Sequence, residues 1–140
     1  GGKPCDEKLA QSIAMTVSHH PYYTQKLAFL VFESGEAAST ETAAIGYERL
    51  MASEQPVFEA IQQGLTSHQR LMMRAIALEP TGQPLANTYI RKHRLGSVGG
   101  VQHSLKQLSE MDLIEKNERW EAVDPLFTQW LRRQVEESLG

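Results

Sequence analysis

The sequence predicts a mainly α-helical chain in which an N-terminal helical bundle precedes a second domain containing a short β-hairpin. Residues 6–65 carry apolar side chains at helical spacing, interrupted by proline and glycine. Residues 95–123 contain a tight turn, an amphipathic helix and two short runs typical of strands. That order is the core of a winged-helix domain, the helix-turn-helix variant whose second helix can enter a DNA major groove.

Length and composition limit the classes of protein to consider. With 140 residues and 41% hydrophobic content, the chain can bury one core or two small ones. It has no apolar run of about 18 residues, so we expect no membrane partner. The single cysteine, Cys5, excludes an internal disulfide and suits the reducing cytoplasm. Because Gly1 and Gly2 stand where a methionine would start a gene product, we expect a fragment of a longer protein, with residues left by a tag.

Charge is distributed unevenly along the chain, whose formal net charge is −3. Residues 1–64 carry 4 Lys and Arg against 8 Asp and Glu, whereas residues 65–140 carry 10 against 9. This balance argues against a chain that coats nucleic acid by bulk electrostatics. The second half is nearly neutral, short of the clearly basic domain expected of a strong DNA binder.

The first half predicts three helices. Apolar stripes predict helices over residues 6–17 and 21–33, the second apolar most of the way round and therefore at the centre of the bundle. A third helix is predicted from Ser39 or Thr40, with a break or kink at Gln55-Pro56. Residues 64–66 mark the predicted boundary between domains of residues 1–64 and 65–140.

The second half predicts a helix-turn-helix. Thr66 and Gln69 have capping-box spacing and open a helix over residues 67–79. A second helix is predicted over residues 84–94, and Ser97 is a suitable N-cap for the recognition helix that follows. The residues expected to face inward on the first of these helices are Leu71, Met72, Ala75 and Ile76. The apolar residues of the second are Leu85, Ala86, Tyr89 and Ile90.

The recognition helix, the hairpin and the last helix complete this domain. Residues 113–116 and 120–123 predict a hairpin that turns at residues 117–119, the only β structure expected, and Pro125 starts the final helix. The apolar stripe of the recognition helix is Val98, Val101, Leu105 and Leu108, and Met111 lies near its edge. Its polar side is Gly99, His103, Lys106, Gln107 and Glu110. The apolar residues of the final helix are Leu126, Phe127, Trp130 and Leu131.

The candidate DNA-binding residues lie on the recognition helix and the hairpin tip. They are Ser97, Gln102, His103, Lys106 and Arg119. Lys106 suits a phosphate, Gln102 or His103 could reach a base edge, and Arg119 could add a second contact. The alternative is an ordinary solvated helix face, which Glu110 and the lack of arginine there favour. The basic run 91–94 would flank a bound backbone, but a charged helix C-terminus needs no ligand.

Other chemistry is not indicated by the sequence. The five histidines and Cys5 lack zinc-site spacing, so we expect no metal, and no nucleophile–base set stands out as catalytic. Gly99-Gly100 is not followed by the Lys-Ser or Lys-Thr of a phosphate loop, so this chain should not hydrolyse ATP alone. The aromatic residues Tyr22, Tyr23, Trp120 and Trp130 are expected in the core.

Three segments together resemble one family of proteins. Residues 20–28, HPYYTQKLA, are similar to a segment in the helical lid of prokaryotic (archaeal-type) AAA+/STAND-type ATPases. Residues 65–70, LTSHQR, resemble the opening of the C-terminal winged helix of these proteins. The runs LGS, VQHSLK, VDPLF and WL within residues 95–131 resemble later parts of it. This chain departs from the family pattern with Ser18-His19 before His20, Gly99-Gly100 in place of two serines, and His103 in place of arginine.

The resemblance implies a function for a longer parent protein. It implies that residues 1–64 are the lid, that His20 and Pro21 sense the nucleotide, and that an upstream ATPase core binds ATP and magnesium. The winged helix would then couple nucleotide state to double-stranded DNA or to a protein partner. Removal of the core would expose lid surface, so we expect weak self-association. Two alternatives remain open: a stand-alone winged-helix transcription regulator and a winged-helix module that docks proteins.

Overall fold

The computed structural model describes Tyr22, Tyr23, Lys26 and residues 40–139. It divides the chain into two compact units, Gly1–Val57 and Phe58–Gly140. The elements, numbered here in chain order, are α1 (Thr40–Gln63), α2 (Ser67–Leu78), α3 (Asn87–His93), α4 (Val98–Glu110), β1 (Ile114–Lys116), β2 (Trp120–Ala122) and α5 (Pro125–Leu139). The described part is therefore mostly helical with a short antiparallel hairpin, which confirms the predicted fold class.

Helix α1 is longer than the sequence predicts, since it continues past Pro56 instead of ending there. Of the predicted break or kink at Gln55-Pro56, a break is wrong: the proline removes one backbone N–H, but the helix continues for two more turns. Phe58, in those turns, is buried against Phe127, with ring centroids 5.2 Å apart. This packing stabilises the segment after the proline. Those turns belong to the second unit, and Gly64, where the sequence predicts the domain boundary, follows them.

Helix α2 is the central element of the second unit, since it packs against α4, α5, β2 and α3. The predicted capping box is confirmed: the Thr66 Oγ1 accepts from the Gln69 backbone N at 3.2 Å, and the Thr66 N donates to Gln69 Oε1 at 2.9 Å. The predicted inward face is wrong at Leu71, which is 38% exposed. Met73 and Ala77 are buried as well as the expected residues, because neighbours cover α2 on several sides.

Helix α3 begins later than predicted, at Asn87. The residues before it form a turn in which the Ala86 N donates to the Gln83 carbonyl at 3.2 Å. Leu85, predicted as an apolar residue of this helix, therefore lies outside it and is 37% exposed. Tyr89 and Ile90 are buried as expected. Arg94 ends the helix in the left-handed region, with φ of 55°.

The hairpin has the predicted position, with Lys116 opposite Trp120 and Ile114 opposite Ala122. We call the β1–β2 hairpin and its connecting turn the wing. The prediction of no other β structure is wrong, because Thr81 forms an isolated bridge to Trp120. The two residues exchange backbone hydrogen bonds of 2.8 and 3.2 Å. A single bridging residue in a loop has no periodic pattern, so local sequence gives no signal for it.

Helix α5 closes the core of the second unit. Its four predicted apolar residues, including Phe127 and Trp130, are buried. The Asp124 carboxylate accepts from the backbone N of Leu126 at 2.9 Å and thereby caps the helix. In the middle of this helix, Arg132 Nε donates to the Ala77 carbonyl of α2 at 2.9 Å, so one of the orphan carbonyls of α2 is satisfied.

In the first unit, the buried carboxylate of Glu54 contacts two described residues of the lid-like segment 20–28, Tyr22 and Lys26. It accepts hydrogen bonds from the Tyr22 hydroxyl at 3.3 Å and from the Lys26 ammonium. The hydrogen bond to Glu54 raises the pKa of Lys26. Tyr23 is buried, but Tyr22 is 54% exposed, so its predicted core position is wrong: the hydroxyl reaches Glu54 while the ring stays in solvent.

Several predictions fall on residues that the structure does not describe. The helix over residues 6–17, most of that over residues 21–33, and both His20 and Pro21 lie outside the described residues. Tyr22, Tyr23 and Lys26 are helical. In the part of the chain that is described, no helix is both long and apolar enough to cross a membrane.

Candidate functional site

The recognition helix α4 is set in place by its first residues and its buried face. The Ser97 hydroxyl accepts from the Gly100 N at 3.0 Å, as predicted for an N-cap. Val101, Leu105 and Leu108 are buried. The predicted stripe is wrong at Val98, which is 43% exposed, and Met111, predicted near the edge of the stripe, is 46% exposed. The core covers only the middle turns of the helix.

His68 of α2 contacts both the turn before α4 and the middle of α4 through its two ring nitrogens. Nε2 lies 2.7 Å from the Leu95 carbonyl, and Nδ1 lies 2.6 Å from the hydroxyl of the buried Ser104. A carbonyl only accepts, so Nε2 carries a hydrogen, and in the neutral ring Nδ1 accepts from Ser104. A Cβ at Gly100 would lie 3.6 Å from the His68 Nε2 and 3.2 Å from the Ser97 Oγ, so glycine permits this close approach.

A second polar contact joins the same two helices. The buried Gln69, whose Oε1 serves the capping box, donates from Nε2 to Gln107 Oε1 at 2.6 Å. Gln107 is thus half-buried and paired, not on the free polar side where the sequence predicts it. Sequence reasoning missed His68 and the second role of Gln69. A serine at position 104, between Val101 and Leu105 on the apolar face, is the signal that could have indicated a buried polar partner.

The structure brings together some of the predicted site residues and separates others. Gln102 and Lys106 are exposed and line one cleft. His103 is exposed on α4 but does not line it, and the Ser97 hydroxyl is engaged as a cap. Arg119 lies at the wing tip, with Nε 3.8 Å from the Glu121 carboxylate.

This cleft lies between α4, the wing and the loop of residues 82–86, and has a volume of about 730 Å³. We refer to it as the wing cleft. Its apolar lining comes from Leu85, Leu105 and Trp120. Its cationic lining is Lys106 from α4 and Lys116 from β1, whose Nζ is 6.0 Å from the centroid of the Trp120 ring. Glu110 is the one carboxylate that lines the wing cleft in the described chain.

Around the wing cleft, the charges are mixed. The wing carries three carboxylates and two cations, namely Glu115, Lys116, Glu118, Arg119 and Glu121. Helix α4 carries one charge of each sign, Lys106 and Glu110. Because DNA affinity comes mainly from cations at phosphates, this surface is a poor match for a duplex backbone.

The basic run at the end of α3 is partly neutralised. Glu79 accepts from Lys92 at 2.7 Å and lies 2.8 Å from the His93 Nε2. Hydrogen bonds from Lys92, and then from His93, hold the pKa of Glu79 below its ordinary value. The Tyr89 hydroxyl donates to the Glu79 carbonyl at 3.0 Å, and burial raises the pKa of Tyr89. This cluster ties α3 to the loop after α2 and needs no ligand.

Metal ligands do not converge anywhere in residues 40–139 or at the three earlier described positions: no group of three or more His, Cys, Asp or Glu side chains could hold an ion.

The order of elements in the second unit is that of a winged-helix domain. Helices α2, α3 and α4 are followed by the wing and α5. Residues 56–133, more than half of the chain, match the family described as "Probable winged helix domain". The chain belongs to this winged-helix family. No curated protein and no solved structure matches it. The winged-helix match begins in the last turns of α1, as does the second compact unit at Phe58.

Proposed function

We propose that the chain is the lid and winged-helix region of a cytoplasmic AAA+/STAND-type ATPase, and that its winged helix couples the nucleotide state of the parent to a DNA or protein partner. The observation that supports this most is the order of three segments. The lid-like residues 20–28 precede residues 65–70 and 95–131, and the later two segments lie within the region that matches the winged-helix family.

In this proposal, catalysis belongs to the parent. The chain contains no phosphate loop, so in this proposal an upstream core binds ATP and magnesium and hydrolyses the ATP. His20 and Pro21 sense the nucleotide from the lid, as the resemblance implies. The lid then moves as a rigid body and carries the winged helix with it.

Transmission requires a winged helix that moves as one piece. The polar contacts of His68 with Ser104 and of Gln69 with Gln107 link α2 to α4 and are consistent with this requirement. In this proposal, a displacement of α2 is passed to α4 through these contacts. The partner is DNA or protein, and the candidate contacts on α4 are Gln102, His103 and Lys106, with Arg119 at the wing tip.

The test begins with the full-length parent. Its gene should encode a phosphate loop upstream of this region, and the purified protein should bind ATP in the presence of magnesium. Replacement of the phosphate-loop lysine should abolish ATP binding, whereas Lys106→Glu should leave it unchanged. A parent that has no phosphate loop and binds no nucleotide would contradict the proposal.

A further inference from the structure

We infer that the wing cleft binds a peptide segment of a partner protein in which an apolar side chain lies next to an acidic residue. This rests on the part of the proposed function that gives the winged helix a partner, but not on the ATPase parent.

The apolar half of the site comes from side chains left uncovered beside the core. Ile114 and Lys116 lie on the same face of β1, because strand residues two apart share a face. Ile114 is buried in the core. Lys116 and Trp120, which are opposite each other in the hairpin, line the wing cleft instead. Leu85 adds an aliphatic side chain that is 37% exposed. Uncovered aliphatic and aromatic surface in a concave site is typical of binding surfaces.

The charged half of the site selects an anion. Lys106 and Lys116 come from different elements and line the same cleft, with Glu110 as the opposing carboxylate. Two cations beside apolar surface complement a carboxylate attached to an apolar group.

A peptide fits this arrangement better than duplex DNA. The remaining acidic residues of the wing, Glu115, Glu118 and Glu121, do not line the cleft, so a short segment avoids them. The backbone of a duplex extends past the wing and would meet these carboxylates. In addition, a duplex cannot insert an apolar side chain against Trp120 and Leu105.

The size of the site sets the expected affinity. A volume of about 730 Å³ is within the range of sites that hold small ligands or a few side chains. A site of this size holds only a few side chains of a partner, so we expect a dissociation constant on the order of micromolar.

The experiment uses the whole chain without nucleotide and measures the fluorescence anisotropy of a labelled, capped peptide with two leucines between glutamates. The peptide should bind, and the same peptide with lysines in place of glutamates should bind at least about tenfold more weakly. Lys106→Glu and Leu85→Asp should each weaken binding of the acidic peptide by at least about tenfold. Arg74→Glu, an exposed charge reversal on α2 away from the cleft, should leave it unchanged.

Circular dichroism melts of each variant exclude loss of fold as the cause. Two results would overturn the inference: equal binding of both peptides, or a short mixed-sequence duplex that binds more tightly than the acidic peptide and loses affinity in Lys106→Glu. Since no nucleotide is present, these results are distinct from failure of ATP binding by the parent, which bears on the proposed function alone.

Discussion

The His68 Nδ1 lies 2.6 Å from the Ser104 Oγ and thereby joins the first helix of the winged-helix domain to the recognition helix. Removing either partner leaves the other with an unmet hydrogen bond in a largely buried position. We therefore expect Ser104→Ala and His68→Leu each to lower the free energy of unfolding by about 1–3 kcal/mol. Urea denaturation followed by circular dichroism measures these changes.

The double variant serves as the control for this pair. Because the two side chains share an interaction, the combined loss should be smaller than the sum of the single losses. Strictly additive losses would show that the contact contributes nothing to stability.

The buried face of α4 gives a second prediction. Leu108 is fully buried, whereas Val98 at the start of the same helix is 43% exposed. Leu108→Ala should cost about 2–5 kcal/mol because it leaves a cavity. Val98→Ala should cost less than about 0.5 kcal/mol. Thermal or urea unfolding compares them, and similar losses for both would refute the burial pattern of this helix.

Sequence reasoning succeeds where the signal is local. The Thr66–Gln69 capping box, the Ser97 N-cap and the wing depend on residues a few positions apart, and all are confirmed. These features follow from hydrogen-bond geometry and turn chemistry that a short window of sequence contains.

Nonlocal features could not be predicted in this way. The continuation of α1 through Pro56 depends on packing between Phe58 and Phe127, which are distant in sequence. The exposure of Leu71 and the burial of Met73 reflect which elements surround α2. The wing cleft draws its lining from three separate segments, so only Gln102 and Lys106 could be proposed as site residues from their position on one helix.

A third prediction concerns the last turns of α1. Phe58 is buried and its ring lies 5.6 Å from that of Trp130, so these turns complete the core of the second unit. Phe58→Ala should lower the free energy of unfolding by about 3–5 kcal/mol. A polypeptide of residues 56–140 should melt at a higher temperature than one of residues 66–140.

The matched control is the neighbouring Val57, which is 51% exposed and should tolerate alanine. Equal melting temperatures for the two shortened polypeptides would mean that α1 contributes nothing to the winged-helix core.

A fourth prediction follows from the lowered pKa of Glu79, whose main causes are the hydrogen bonds from Lys92 and His93. A carboxyl whose pKa is lowered in the folded state stabilises the protein at pH values above the pKa that the same carboxyl has in the unfolded chain. This contribution is lost as the pH falls through the folded pKa. The Glu79→Gln variant should therefore have a lower free energy of unfolding than the unsubstituted chain near neutral pH. This difference in free energy should vanish in the acid range. Urea unfolding over a pH series measures it.

Glu137→Gln is the control for Glu79→Gln, because Glu137 is exposed on α5 and forms no ion pair within the described part of the chain. It should leave the pH profile unchanged. If the difference in the free energy of unfolding between Glu79→Gln and the unsubstituted chain persisted in acid, the Glu79 carboxylate would not be its source.

The coupling of nucleotide state to partner binding is tested most directly by the affinity of the full-length parent for a winged-helix ligand in its ATP-bound and ADP-bound states. The probes are the labelled acidic peptide and a short mixed-sequence duplex, each titrated with Lys106→Glu as a binding control. For the probe that binds, we expect dissociation constants that differ by at least about fivefold between the two nucleotide states. Identical dissociation constants in both states, with nucleotide bound, would contradict the proposed coupling.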